Sequence, residues 1–334
     1  MKSPISGKEM KLSNERRKLN FRKEDFDLNS LFYLCEDSGE KFTSTELDEV
    51  NLLQVYNQYR DKYNIPFPSE IKEIRLKYNL SAKKMSEILG FGVNGYRNYE
   101  SGEMPSISNG RIIQLINDPE KFHSLLVISD SLIEKKKLEL IDFVEKMITN
   151  QKKKIFHTNV ESYLMKNGMP NIYTGYVKPN LLKLAEMIIF FTERASPFKT
   201  KLNKLLFYSD FLAFRSTCFS ISGLKYRAIQ LGPVPYNFQS IFEYLSNSEY
   251  VNSVICNFGD GMIGEKFTPN KSRVFNPELF SKEELDVLHL VAKKFEETST
   301  ADIIEITHKE KAWLQNKENR SLISYNYAFE LSQM

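Results

Sequence analysis

Asn94, Arg97 and Asn98 are the residues whose chemistry is easiest to name. A guanidinium can donate two parallel hydrogen bonds to guanine O6 and N7, and a carboxamide can pair with adenine N6 and N7. Each such pair is worth ~1–3 kcal/mol of discrimination between bases. With Val93 they fall on one face of a short helical pattern, while Tyr96 and Tyr99 fall on the other and are expected to pack inward. Lys83 and Lys84 are placed to hold phosphates, which fixes register rather than sequence. No comparable set converges for catalysis. His123, His157, His289 and His308 are scattered, and no Gly-rich phosphate loop or serine elbow occurs. His308 and Glu310, two apart on a helix, point to different faces, so local packing or hydrogen bonding is expected of His308 and Trp313. The expectation is a protein that binds rather than one that turns over a substrate.

The elements that must position these residues are also legible. Ser81 sits where an N-cap hydroxyl would satisfy the first amides of a helix carrying Met85, Ile88 and Leu89 on one face. Gly90 sits where a C-cap glycine would end it, Gly92 is read as opening the next helix, and Glu100-Ser101-Gly102 closes that one. Ser69 is read as the cap of an earlier helix with Ile71, Ile74 and Leu76, and Asp118-Pro119 punctuates the far end. Residues 69–117 resemble the Xre/Cro-type repressor domain, in which a helix-turn-helix lays its second helix in the major groove. Expected DNA-contacting residues are Ser81, Lys83, Lys84, Val93, Asn94, Arg97 and Asn98.

The bulk numbers constrain the partners. A formal charge of +3 over 334 residues excludes binding by charge alone, so any nucleic-acid contact must be local and shaped. No run approaches the ~20 apolar residues of a membrane helix, and the first residues lack the apolar stretch of a signal peptide. Cys35, Cys218 and Cys256 are too far apart to form a disulfide framework. A cytoplasmic protein without membrane contact is expected.

Before residue 66 the chain reads as a small β unit over 1–44, followed by a helix over 45–65 with Thr45 as its N-cap and Leu47, Val50, Leu53 and Val55 as its apolar side. Ser3-Pro4-Ile5-Ser6-Gly7 and Cys35-Glu36-Asp37-Ser38-Gly39 look like two zinc knuckles of the form Cys-x-x-Cys-Gly. Ser3, Ser6 and Ser38 occupy three of the ligand positions and only Cys35 remains. Serine hydroxyls do not ionise at neutral pH, so no metal or other cofactor is expected. The unit would hold by apolar packing of Leu19, Phe21, Phe26, Leu31, Phe32 and Tyr33. Together with residues 66–117 this layout resembles the MqsA antitoxins, a zinc ribbon followed by a helix-turn-helix.

Residues 129–155 show three- and four-residue apolar spacing (Leu132, Ile133, Leu140, Ile141, Val144, Met147, Ile148) opposite a lysine-rich face, and 157–179 read as an irregular linker. Beyond lie helical patterns over 181–192, 199–214, 237–245, 282–297 and 300–311. Gly232-Pro233-Val234-Pro235 is read as a loop, because two prolines two apart fit neither a helix interior nor a central strand. Lys204-Leu205-Leu206-Phe207-Tyr208-Ser209-Asp210, Ser222-Gly223-Leu224-Lys225-Tyr226, the Gly-Pro-Val-Pro stretch and Thr307-His308-Lys309-Glu310 with Trp313 resemble the Panacea (SocA-like) domain. That resemblance implies an antitoxin domain that neutralises a protein toxin by direct binding. Tyr226, Pro233 and Tyr236 are candidate toxin contacts, because exposed aromatics favour interfaces.

The expected fold class is mainly α with a small N-terminal β-ribbon. The expected domains are 1–65 (degenerate ribbon and connecting helix), 66–128 (helix-turn-helix), 129–178 (connector and linker) and 179–334 (Panacea-like domain). The expected function is that of an antitoxin that binds a protein toxin and its own operator DNA, as a homodimer matched to paired half-sites ~34 Å apart. The alternatives are a plain repressor or phage regulator whose C-terminal domain senses a ligand or protein, an enzyme targeted by its DNA-binding unit, and a protease adaptor.

Overall fold

The computed structural model describes residues 1–129, 134–151, 162–165, 168–258 and 263–334. The chain is mainly helical with a small N-terminal antiparallel sheet. Contacts divide it into two compact units, Tyr56–Tyr163 and a second made of Met1–Val55 with Leu164–Met334. The N-terminal strands therefore group with the C-terminal segment.

In this second unit β1 (Lys11–Phe21) and β2 (Glu24–Leu34) form a long hairpin in the register Lys11↔Leu34 to Phe21↔Glu24, and β3 (Lys41–Phe42) pairs with β2. Arg22 and Lys23 make the two-residue turn, both at positive φ, as a type I′ turn requires. Phe26, Leu31 and Phe32 are buried, whereas Leu19 is exposed at the far end of the hairpin. Helix α1 (Thr45–Tyr63) follows. Its cap lies one residue before the expected Thr45, since Ser44 Oγ accepts from Leu47 N at 3.4 Å. Asn14 Nδ2 donates to Phe329 O at 3.0 Å and Cys218 Sγ to Val50 O at 3.4 Å, tying the first 55 residues to the last helices.

The smaller unit carries α2 (Pro68–Lys77), α3 (Ala82–Leu89), α4 (Gly95–Glu100), α5 (Ile107–Leu115), α6 (Pro119–Ile128) and α7 (Glu134–Gln151). Ile71, Met85, Tyr96, Ile113, Phe122 and Val144 are among the residues of its core. Helix α2 starts before Ser69, because Pro68 supplies the preset φ of a first turn and Glu70 reaches back to Phe67 N at 2.9 Å. Leu76 lies exposed rather than in the apolar stripe. Asp118 caps α6, which ends at Ser129, so the amphipathic pattern expected from residue 129 is a helix from Glu134 to Gln151, and residues 152–155 lie outside the described part.

The C-terminal segment is built around α8 (Leu181–Ala195) and α9 (Lys199–Thr217). Helix α9 is buried all round from Lys201 to Phe214, so every neighbouring element packs on it. These neighbours include α11 (Lys282–Phe295) and α12 (Thr300–His308); the segment also carries α10 (Phe238–Asn247) and α13 (Lys311–Leu314), which packs against α12. The Gly-Pro-Val-Pro stretch is a strand, not a loop. β5 (Gly232–Pro235) lies at the edge of a sheet ordered β5-β4-β8, with β4 (Tyr226–Ile229) central and β8 (Leu322–Ile323) beyond. Prolines 233 and 235 alternate, so both missing amides fall on one side, which an edge strand tolerates. A separate hairpin, β6 (Val251–Asn257) and β7 (Ile263–Pro269), is also present and was not anticipated by the helical patterns. Of the expected irregular linker over 157–179, residues 162–165 are helical instead, and in 168–179 Gly175 O accepts from Ser220 N at 3.0 Å, so this part is packed.

Candidate functional site

The face that carries Val93, Asn94, Arg97 and Asn98 is built by α3 and α4. Ser81 Oγ accepts from Lys84 N at 3.2 Å and opens α3, and Gly90 closes it in the left-handed conformation (φ 71°), which favours glycine. Gly92 does not open the next helix. It lies in the turn at φ 78°, and α4 begins at Gly95 with Asn94 as its N-cap. Ser86, buried on α3, accepts from Tyr96 N at 2.7 Å and locks the start of α4. Tyr96 is fully buried and donates to Ile71 O at 2.8 Å, and Tyr99 Oη accepts from Asn109 Nδ2 at 2.9 Å. Both tyrosines thus pack inward.

The Glu-Ser-Gly ending has a specific job. Glu100 takes a two-point ion pair from Arg75, Nε to Oε1 at 2.5 Å and Nη2 to Oε2 at 3.0 Å, which fixes the end of α4 against α2. Arg60, fully buried, donates from Nη2 to Gly102 O at 2.7 Å. What remains outward is Val93 (65 % exposed), Asn94, Arg97 and Asn98, with Ser81 and Lys83 exposed on α3. Lys84 is half-buried and paired with Glu87 at 2.6 Å, so it is tied to its own helix.

The two knuckle-like segments meet. Ser3 Oγ donates to Cys35 Sγ at 3.2 Å, Ser6 Oγ lies 3.6 Å from the same sulfur, and Ser38 joins from the other segment. These hydroxyls, Ser3 first, hold the Cys35 thiol down to about 6. One thiol and three hydroxyls do not match the thiolate and imidazole donors that zinc requires. Among the described residues no group of three or more His, Cys, Asp and Glu gathers with metal-binding geometry.

In the C-terminal segment the titratable motif residues are spent on one another. Asp210, fully buried, accepts at Oδ1 from Ile221 N (2.9 Å) and Ser222 N (2.8 Å), and at Oδ2 from Ser222 Oγ (2.5 Å) and Tyr226 Oη (2.7 Å). Burial raises its pKa against the pull of these donors. Lys204, also fully buried, donates to Pro233 O at 2.9 Å, and desolvation lowers its pKa to about 7. Gly232 (φ 100°) sits over this ammonium, where an added Cβ would come within 2.9 Å of both Lys204 Nζ and Thr307 Oγ1. Glu310 accepts from Tyr208 Oη at 3.2 Å and Ser332 N at 2.9 Å. His308 stacks on Trp313 with centroids 3.8 Å apart, and Trp313 Nε1 donates to Ile229 O at 2.8 Å. Burial, then the Lys204 charge, hold the imidazole below its ordinary range. Trp313 and His308 are thus packed locally, as expected.

Two of the three candidate partner contacts lie in this interior. Tyr226 is fully buried on Asp210, and Pro233 is buried with its carbonyl on Lys204, so neither offers a surface. Tyr236 is half-buried with the Arg227 guanidinium 4.6 Å from its ring centre. Sequence reasoning missed Asp210, Lys204 and Ser86 as determinants, since polar residues within apolar helix patterns show their partners only after folding.

Compared with known protein families, the chain matches the model for the antitoxin SocA-like Panacea domain over residues 202–314. That span contains the Asp210, Lys204 and His308–Trp313 arrangements. No curated protein matches the chain.

Proposed function

We propose that this protein is an antitoxin that also represses transcription: its C-terminal segment binds and masks a protein toxin, and α3 and α4 form a helix-turn-helix that binds operator DNA. The match of residues 202–314 to an antitoxin domain is the observation that carries the toxin half. Supporting it, the motif residues of that span are engaged in packing, which fits a rigid binding scaffold rather than a reactive centre. For the DNA half, support comes from the polar outward face of α4 and from the interlocking of α3 and α4 beneath it. A second copy would supply the other half-site contact, since repressors of this kind read two half-sites about one DNA turn apart. The N-terminal hairpin is read as a ribbon of the MqsA layout in which Cys35 and three serines replace a metal centre. The protein would act in the cytoplasm, without a cofactor and without catalysis. Among the described residues no helix is long and apolar enough to cross a membrane.

Gel-shift titration of the chain's own promoter tests the DNA half. The double variant Asn94→Ala, Arg97→Ala is expected to lose about tenfold or more in affinity, given ~1–3 kcal/mol per bidentate base contact. Binding equal to the parent refutes the assigned face.

A further inference from the structure

Three helices of the C-terminal segment wall a pocket of about 240 Å3. Each contributes side chains three or four residues apart, the spacing that places them on one helix face. Phe191, Arg194 and Ala195 come from α8, Lys201 and Leu205 from α9, and His289, Ala292 and Lys293 from α11. The lining is of two kinds. Phe191, Leu205 and Phe295 are each at most 2 % exposed and make an apolar floor. Arg194, Lys201 and Lys293 bring three cations against a single carboxylate, that of Glu296.

Lys201 is the deepest of the cations, with 8 % of its surface exposed. Its Nζ donates to Thr298 O at 2.7 Å and to Glu296 O at 3.3 Å, both neutral carbonyls. Burial lowers its pKa accordingly. A buried charge is ordinarily offset by an opposite one, yet Arg194, Lys201 and Lys293 form no ion pair among the described residues. Arg194 is also preset. Its Nη1 donates to Phe190 O at 3.1 Å and its guanidinium carbon lies 3.6 Å from the Phe190 ring centre. A guanidinium held on a ring gives up little further freedom when it meets a carboxylate. Sites for drug-sized ligands run ~300–1,000 Å3, so this pocket suits a smaller molecule. An inorganic anion would answer the cations and leave the apolar floor wet. A neutral apolar molecule would cover the floor and leave the buried ammonium unpaired. A carboxylate attached to a ring or a branched alkyl group answers both.

We propose that the pocket between α8, α9 and α11 binds a small monocarboxylate with an apolar body, its carboxylate paired with the Arg194, Lys201 and Lys293 cations and its body laid on Phe191, Leu205 and Phe295. The site is independent of the antitoxin reading, since it calls on neither DNA nor a protein partner. It gives the chain a way to take up a small organic acid as well.

The test titrates the full chain by calorimetry with phenylacetate and isocaproate as probes, and with phenethyl alcohol and phenethylamine as their neutral and cationic counterparts. At least one carboxylate should bind saturably, and the alcohol and the amine about tenfold or more weakly, as expected when a charge-assisted hydrogen bond is lost. The double variant Arg194→Gln, Lys293→Gln should weaken the bound carboxylate about tenfold or more. Lys282→Gln, Lys294→Gln removes the same charge outside the pocket and should stay within about twofold, since scattered surface charges are screened. Ala292→Trp fills the space and should abolish binding, with circular dichroism checking the fold. In the parent complex, nuclear Overhauser contacts should join the probe to the Leu205 and Ala292 methyl groups. The double variant changes only exposed residues, so it decides the matter even where Ala292→Trp does not fold. No saturable binding of either carboxylate, equal binding of the alcohol, or parent-like binding by the double variant overturns the proposal. None of these outcomes touches toxin or operator binding, so this inference and the antitoxin reading fail separately.

Discussion

Cys35 lies where zinc thiolates would stand about 3.8 Å apart, given tetrahedral Zn–S bonds of about 2.3 Å. Ser3 and Ser6 approach its sulfur at 3.2 and 3.6 Å, close to that spacing. Replacing all three serines, Ser3→Cys, Ser6→Cys and Ser38→Cys, should therefore create a site that binds Co2+ with thiolate charge-transfer absorption. The parent should show none, and an equally silent variant would contradict the reading of these four positions as former ligand positions. Lys204 gives a second prediction at this scale. Its folded pKa of about 7 lies below its unfolded value of 10.5, so between these values the unfolded chain binds the extra proton. Stability from this group should rise with pH through that window and level off above it. Lys204→Met should flatten the rise in thermal unfolding, and an unchanged slope would contradict a desolvated ammonium. The serine cage was legible, because paired knuckle spacing shows in sequence. The Lys204 environment was not, because Pro233, Gly232 and Thr307 reach it only through the fold.

At the scale of elements, helices with good punctuation and the N-terminal β-ribbon were legible, and the strands of the C-terminal segment were not. Ser81 and Gly90 bounded α3 as read, since each satisfies end groups that any helix must satisfy. The start of α4 slipped from Gly92 to Gly95, because the turn consumed Gly92 for its positive φ. β5 was hidden by prolines that only an edge position allows, and β6–β7 by an irregular alternation of polar and apolar residues. The α3–α4 joint makes a prediction of its own. Ser86→Ala leaves the buried Tyr96 amide without its acceptor and should cost about 1–3 kcal/mol in denaturant unfolding. The outward residues are untouched, so promoter affinity of the folded fraction should hold. A neutral effect on stability would show that Ser86 does not fix the joint.

At the scale of the whole chain, the N-terminal 55 residues share a compact unit with the C-terminal segment, a pairing across more than a hundred residues that no local pattern announces. One consequence is practical. Cutting out the C-terminal segment would remove its contacts with the first 55 residues, so partner binding is best measured on the full chain. The direct measurement is titration of the purified protein with the purified product of the adjacent reading frame, with the toxic activity of that product followed in the same samples. A saturable complex in which that activity falls to background, unaffected by Asn94→Ala and Arg97→Ala, is the expected result. Full toxic activity at saturating concentrations of the chain, with no complex formed, would contradict it.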